Sequence, residues 1–226
     1  MFNRLIVSLA IISLYLTGCA TSQKMAFENN TDTHPTKPVY LMSVTLKNNY
    51  RTSYQPKLLT ALVEKKDAKE DKDHLNFDMD AAGKSEADTP EAGNSYLLRM
   101  ELENGEYVIR GLSGFSGTFP FHGTFFAPLH ADTKSNGSGV FYLGHVSATV
   151  RERKENEFKA GVMVPLIDQA VTGFSGGTFD IEISDQLDKD QALFKSKFSA
   201  LQNVTIQKSI LASFDRAKAQ QWWDAH

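Results

Sequence analysis

Alternation of apolar and polar residues dominates the chain between residues 39 and 184. Successive side chains of a strand point to opposite faces, so runs of this kind predict strands with one buried face. Glycine, proline and charged residues separate the runs, which is typical of turns. The predicted strands cover residues 39–46, 58–63, 75–79, 96–102, 107–112, 118–126, 140–153, 158–167 and 179–183. The pattern therefore predicts a mainly β chain, with an antiparallel β-sandwich over residues 38–184.

Two connections between these runs carry specific turn signals. Asn104-Gly105 lies between the runs 96–102 and 107–112. Asn-Gly favours a tight hairpin because both residues tolerate positive φ, so these runs are expected to pair as neighbouring strands. The polar stretch 152–157 predicts a second turn, which would return 158–167 as the partner of 140–153.

The hydrophobic period changes to that of a helix after Ser184. The first predicted helix carries its apolar positions on one face, at Leu187, Phe194, Phe198 and Leu201. Asp188, with Gln191 three residues later, has the form of a capping box. A second helix is expected over residues 205–223, with Ile206, Ile210 and Phe214 in its stripe. Two short helices cannot bury these stripes alone, so the segment 185–226 is expected to pack on the sandwich.

The first 37 residues have a different composition from the sandwich. Arg4 is followed by an almost wholly apolar stretch over residues 5–16, which predicts a secretory signal over residues 1–18. The apolar stretch is shorter than the roughly 20 residues that span a bilayer core. Residues 19–37 are polar and contain Pro35, so they are expected to form a flexible tether.

Leu16, Thr17 and Gly18 precede Cys19, the only cysteine of the chain. This quartet resembles the lipobox of bacterial lipoproteins, although a plain signal peptide with an incidental cysteine is the alternative. The resemblance implies cleavage before Cys19 and a diacylglycerol on its thiol, and several acyl chains give stable membrane attachment. In Gram-negative lipoproteins an Asp after the cysteine usually signals inner-membrane retention. For a Gram-negative host, the resemblance and Ala20 therefore imply the outer membrane. The body is expected to face the periplasm, with the cell exterior as the alternative.

Composition narrows the classes of function. The 226 residues are 41% apolar and include 15 Phe, enough for a substantial core. The formal charge is −3, and losing Arg4 with the signal would make it one unit more negative. Because the chain has no basic surplus to neutralise phosphates, nucleic acid is excluded as an expected partner. A single cysteine also excludes an internal disulfide.

One motif resembles a catalytic serine site. Residues 173–177 match G-x-S-x-G, the nucleophile elbow of α/β-hydrolases, with Ser175 at the serine position. That elbow requires a strand before it and a helix after it, whereas a strand-like run follows here. A related Gly-Phe-Ser-Gly stands at residues 114–117. We therefore interpret both copies as glycine turns that bury one aromatic ring.

Scattered histidines are a second candidate for chemistry. His122, His130 and His145 could converge with Asp132 on a metal ion or an acid–base pair. Their spacing matches no zinc motif, so no metal site is expected.

The C-terminal region has candidate residues of its own. Asp185, Asp188 and Asp190 lack the glycine and final glutamate of a calcium loop, so no cofactor is expected there. Trp222 and Trp223 could contact lipid headgroups or a partner, or could close the sandwich.

The segment 96–112, with its E-N-G-E-Y turn and following R-G-L, resembles transthyretin-like and Cna-B-like β-sandwich modules. The whole chain is also similar to Gram-negative lipoproteins of uncharacterised function that join such a sandwich to a C-terminal helical segment. These resemblances imply a shared scaffold and no particular chemistry. The leading hypothesis is a non-catalytic binding or structural module of the cell envelope, held by a membrane anchor and contacting an envelope protein. The alternatives are a periplasm-facing serine hydrolase and a small-ligand carrier for a lipid or glycan.

Overall fold

The computed structural model describes residues 21–28, 37–85, 91–118, 120–161 and 167–225. The predicted signal over residues 1–18, including the lipobox, and Cys19 lie outside these ranges. The strands are β1 (Thr21–Lys24), β2 (Val39–Asn48), β3 (Lys57–Lys65), β4 (His74–Asp78), β5 (Lys84–Ser85), β6 (Asn94–Glu101), β7 (Gly105–Thr118), β8 (Phe121–Ser135), β9 (Val140–Glu152), β10 (Gly177–Ser184) and β11 (Ile206–Lys208). The α-helices are α1 (Ile167–Val171), α2 (Leu187–Lys197) and α3 (Arg216–Ala225), and short 3₁₀ helices lie at Asp71–Asp73 and Ser199–Leu201.

The strands form two sheets. The first sheet has the order β1-β4-β3-β7-β8, and the second has the order β10-β9-β2-β6-β5, with β11 also paired to β9. The predicted fold class, a mainly β sandwich with C-terminal helices, is confirmed. Three pairs are parallel, namely β1 with β4, β2 with β9, and β11 with β9, so the sandwich is not wholly antiparallel.

The second sheet is buried on both faces. Its inner face packs against the first sheet through side chains such as Val44 and Leu46, which join the main core. Its outer face contacts α2 and the following turn, where Leu41 and Tyr142 share a second cluster with Phe194. The central strand β2 is therefore almost entirely buried, although its sequence alternates only in part.

The predicted hairpin at Asn104-Gly105 is wrong. β6 pairs with β2 and β5 in the second sheet, whereas β7 pairs with β3 and β8 in the first sheet. The turn thus carries the chain from one sheet to the other. Asn-Gly indicates that the chain reverses, but burial of both flanking strands decides where each strand finds its partners.

The predicted partner of β9 is also corrected. Residues 158–161 form no strand and make one isolated bridge, between Phe125 and Gly161, while residues 162–166 lie outside the described part of the chain. β9 pairs instead with β2 on one side and with β10 and β11 on the other.

Residues 21–28 do not form the predicted flexible tether. Thr21–Lys24 pairs in parallel with β4, and the following Met25 and Phe27 are buried. The backbone N–H of Ala26 donates to the carbonyl of Arg99 at 2.8 Å. Strand pairing, one backbone hydrogen bond and two buried apolar side chains thus attach this polar segment to the sandwich. Residues 29–36 of the predicted tether lie outside the described ranges.

The second predicted helix is wrong over its first half. Residues 206–208 form β11 on the open edge of β9, and the helix α3 begins only at Arg216. The first predicted helix is present as α2, but Asp188 does not cap it. The backbone N–H of Leu187 donates instead to the side chain of Asp185 at 3.1 Å.

Candidate functional site

The histidines singled out in the sequence do not converge. The backbone N–H of His122 donates to Asp168 at 3.2 Å, and the ring of His130 lies 5.0 Å from that of Trp222. His145 lies on the other sheet, and Asp132 forms an ion pair with Lys218. Within the described ranges, no group of three or more His, Cys, Asp or Glu side chains is placed to hold a metal ion.

Ser175 does not lie in a nucleophile elbow. The helix α1 precedes it and the strand β10 follows, which reverses the order that the elbow requires. Phe174 is fully buried in the main core, as expected for a glycine turn that holds a ring. The related residues 114–117 lie inside β7, so the prediction that this copy is a turn is wrong.

The three C-terminal aspartates are separated as well. Asp185 forms an ion pair with Lys208 at 2.5 Å, and the hydrogen bond from that lysine lowers the pKa of the Asp185 carboxyl. Asp188 is exposed, whereas Asp190 is buried against the second sheet.

The two tryptophans pack against the sandwich. Trp222 contacts the ring of Phe126, with the ring centroids 5.6 Å apart, and Trp223 packs against the main core. This matches the alternative in which they close the sandwich.

A polar cluster that the sequence did not reveal lies between α2 and the second sheet. The carboxylate of Asp190 accepts hydrogen bonds from the Ser43 and Tyr142 hydroxyls. His145 Nδ1 lies 2.9 Å from Ser43 Oγ. Since Ser43 gives its proton to Asp190, Ser43 accepts at this contact and His145 Nδ1 donates. Ser43 and Asp190 stand 147 positions apart, so no spacing pattern could have joined them.

A bulge in β9 assembles this cluster. The register between β2 and β9 shifts between Leu41 and Ser43, which face Tyr142 and His145. In a regular strand, residues three apart lie on opposite faces, and the extra residue puts Tyr142 and His145 on the same face. Gly144 has a φ of +117° in this bulge, a conformation that favours glycine.

Burial dominates the electrostatics of the cluster. It raises the pKa of the Tyr142 hydroxyl, and the hydrogen bond to Asp190 adds to this shift. It also lowers the pKa of His145, against the attraction of Asp190. Ser43 is 4% exposed and lies beneath α2, so its hydroxyl is not open to a substrate. The arrangement is suited to fastening α2 to the sheet.

Arg99 makes a second set of buried contacts, at the carboxyl end of α2. Its side chain is fully buried, pairs with Asp80, and donates to the carbonyls of Ala26 and Leu97, each at 2.7 Å. Its guanidinium carbon lies 4.0 Å above the centroid of the Phe198 ring. One cation therefore joins β6, the segment after β1, and the end of α2.

An exposed connection, residues 49–56, joins β2 to β3, and we call it the distal loop. Its tip consists of Tyr50, Arg51, Thr52, Ser53 and Tyr54, of which Arg51, Thr52 and Ser53 are exposed and the tyrosines half-buried. The tip and Val171 of α1 line a shallow open depression of about 480 Å³.

The buried Asn48 side chain holds the distal loop in one conformation. Its amide nitrogen donates to the carbonyls of Tyr54 and Thr172 at 2.9 and 3.1 Å. Its amide oxygen accepts from the backbone N–H groups of Tyr50 and Arg51 at 3.1 and 2.8 Å. The loop is thereby connected both to itself and to the glycine turn at residues 173–177.

The distal loop and Thr21, the first residue of β1, lie toward opposite ends of β3. Thr21 pairs with Leu75, which in turn pairs with Val63 of β3. The loop leads into the other end of β3, at Lys57. At roughly 3.3 Å per residue, the distance from the level of Val63 to that of Lys57 is about 20 Å.

Comparison with known proteins found no matching family model, no matching curated protein and no matching solved structure. None of the helices in the described ranges has the length and apolar character needed to cross a membrane.

Proposed function

We propose that this protein is a lipid-anchored, non-catalytic binding module of the cell envelope. In this proposal Cys19 attaches it to the outer membrane and the distal loop contacts an envelope partner from the periplasmic side. The observation that carries the proposal is the distal loop, an exposed tyrosine- and arginine-bearing tip held rigidly by Asn48. Prearranged tips of this composition are typical of protein recognition, since little side-chain freedom is lost on binding.

The position of β1 supports the same arrangement. Thr21 begins the first strand two residues after Cys19. Two residues reach about 7 Å at most, so a lipid on Cys19 would hold the sandwich close to the bilayer. The distal loop, toward the opposite end of β3, would then point away from the membrane.

Replacing the anchoring thiol tests the attachment. Cys19→Ser removes the atom that would form the thioether, so the protein is expected to leave the membrane pellet and appear as soluble or precursor protein. Fractionation in high salt, with labelling by an alkyne fatty acid, measures both attachment and lipidation. A Cys19→Ser protein that is still processed and still membrane-bound would contradict the proposed attachment through Cys19.

A second pair of variants tests the choice of membrane. In a Gram-negative host, Ala20→Asp is expected to move the protein toward the inner membrane, while Ala20→Ser serves as the uncharged control. Density-gradient separation of the two membranes measures the shift. Equal distribution of both variants would contradict the outer-membrane assignment and leave lipidation standing.

A further inference from the structure

We propose that the distal loop binds an acidic segment of a protein partner, with Arg51 receiving a carboxylate of that segment. The inference rests on the proposed function for its setting in the envelope. The acidic character of the partner segment is inferred from the structure of the distal loop.

Arg51 is the only charged residue between residues 49 and 56. Its guanidinium carbon lies 4.9 Å from the centroid of the Tyr50 ring, and among the described residues no carboxylate pairs with it. Stacking on an aromatic ring leaves the N–H groups at the edge of the guanidinium directed outward. That edge matches the two oxygens of a carboxylate.

The glycine turn at residues 173–177 provides the seat for this arginine. Gly173 has a φ of +88°, and a Cβ there would lie 2.5 Å from Cγ of Arg51 and 3.0 Å from Cδ1 of Tyr50. A Cβ on Gly176 would lie 3.2 Å from the Tyr50 hydroxyl. The absence of side chains at these glycines therefore allows Tyr50 and Arg51 to lie flat against the turn.

The surroundings of Arg51 favour a protein over a glycan. Sugars bind aromatic residues through an open ring face, but Arg51 covers one face of Tyr50, and the glycine turn lies against the Cδ1, Cε1 and hydroxyl atoms of that ring. The depression beside the loop is open and shallow, whereas small-ligand sites are concave and enclose most of the ligand. Arginine and tyrosine are enriched among the residues that contribute most to binding at the centres of protein interfaces.

Site-specific photocrosslinking in the native host tests the inference on the full lipidated chain. A benzoylphenylalanine at Ser53 places the probe on the loop, and the same probe at the exposed Ser138 serves as the control at the opposite end. A protein adduct is expected at Ser53 and not at Ser138. An adduct that is a glycan, or no adduct at Ser53 while the protein remains membrane-bound, would overturn the inference and leave the anchor intact.

Charge reversal then tests the role of Arg51. Arg51→Glu is expected to lower the yield of the Ser53 adduct at least tenfold, whereas Lys154→Glu, the same change at another exposed position of this end, is expected to leave it unchanged. Gly173→Ala is expected to weaken the adduct without altering charge, because its Cβ displaces Arg51. An adduct that persists with Arg51→Glu would refute the proposal.

The crosslinked partner, once identified by mass spectrometry, provides the decisive experiment. Replacing its contacting acidic residue by Arg is expected to restore binding to the Arg51→Glu protein and to weaken binding to the wild type. Thermal unfolding of each variant checks that the fold is unchanged. If Cys19→Ser leaves membrane attachment intact while this charge exchange succeeds, the anchor proposal fails and the docking inference stands.

Discussion

The helices α2 and α3 are both attached to the sandwich through carboxylates, but the carboxylate contacts of α2 are buried and those of α3 are exposed. Asp190 of α2 is 2% exposed and accepts hydrogen bonds from two buried hydroxyls. Arg216 of α3 donates to Asp180 at 2.7 Å, with the side chains 35% and 55% exposed. Lys218 similarly pairs with an exposed Asp132 at 3.0 Å.

From this difference we expect burial, and not the number of bonds, to decide how strongly each helix is held. A buried polar group that loses its partner bears the full cost of desolvation, whereas water replaces the partner of an exposed ion. Arg216 of α3 also lies 3.5 Å from Glu157, where hydrogen bonds from Arg151, at 2.6 and 2.7 Å, lower the pKa of the Glu157 carboxyl to about 2. We therefore expect changes in the α2 contacts to have larger effects than changes in the α3 contacts.

Phe198→Ala is expected to have the largest effect on stability. The ring is 1% exposed and lies beneath the buried guanidinium of Arg99. Its loss should lower the free energy of unfolding by about 3–5 kcal/mol, the range for truncating buried aromatic residues. Urea denaturation of the chain from residue 20 onward, which contains every described residue, measures the change. Lys195→Ala on the same helix is the control and should stay within about 0.5 kcal/mol; equal losses in the two variants would contradict the assignment.

Asp190→Ala is expected to come next. It leaves the Ser43 and Tyr142 hydroxyls buried without their acceptor, at roughly 1–2 kcal/mol each, so a loss of about 2–4 kcal/mol is expected. Asp190→Asn should lose less, because its amide oxygen can still accept both bonds. The same denaturation measurement compares the two. An Asn variant as unstable as the Ala variant would mean that volume or charge, and not hydrogen bonding, holds the cluster.

Arg216→Ala should have a smaller and salt-dependent effect. Removing its exposed ion pairs and its stacking on Phe158 is expected to cost about 1 kcal/mol at low ionic strength. The difference from the wild type should shrink as salt rises, since exposed charges are screened. Denaturation at low and high NaCl measures this, with Asp190→Ala as the salt-insensitive control. If the loss of unfolding free energy in Arg216→Ala did not change with salt, the expected difference between the two helices would be contradicted.

The smallest expected effect is a pH dependence at His145. Because burial lowers its pKa in the folded protein, the unfolded chain takes up a proton first as pH falls below the ordinary value of 6.5. Stability should therefore decrease as pH falls through this range toward the lowered folded pKa. His145→Gln should decrease less between pH 7.5 and pH 5.5 in parallel denaturation series. Identical pH profiles would show that His145 titrates alike in the folded and unfolded states.

The sequence predicted the strands better than their partners. Clean alternation marked β10, since one-sided burial leaves a period of two. Pairing could not be read because β6 is buried on both faces, so its run does not indicate which sheet it joins. The apolar residues from Ile206 onward have the spacing of a helix. In the structure, however, residues 206–208 pair with the free edge of β9 and form a strand.

The candidate site was less predictable than the fold. The four members of the buried cluster come from β2, β9 and α2, and a single-residue bulge brings them together. No local sequence motif therefore predicts the cluster. Arg99 did leave a signal, a lone cation inside the apolar run 96–102, which indicates a buried and paired charge. The sequence signal for the distal loop is weaker: two tyrosines and an arginine lie in a polar stretch between strands.

The parallel pairing of β2 with β9 also sets the order in which this chain can fold. Val39 meets Val140, so the centre of the second sheet closes a loop of about 100 residues. Contacts of such high sequence separation form slowly, and none of them exists until β9 has been synthesised. In a chain that emerges with its amino terminus first, the centre of the second sheet therefore cannot close before β9 has been made. For a protein with a predicted secretory signal, this late closure leaves time to cross a membrane as an extended chain and to complete the sandwich on the far side.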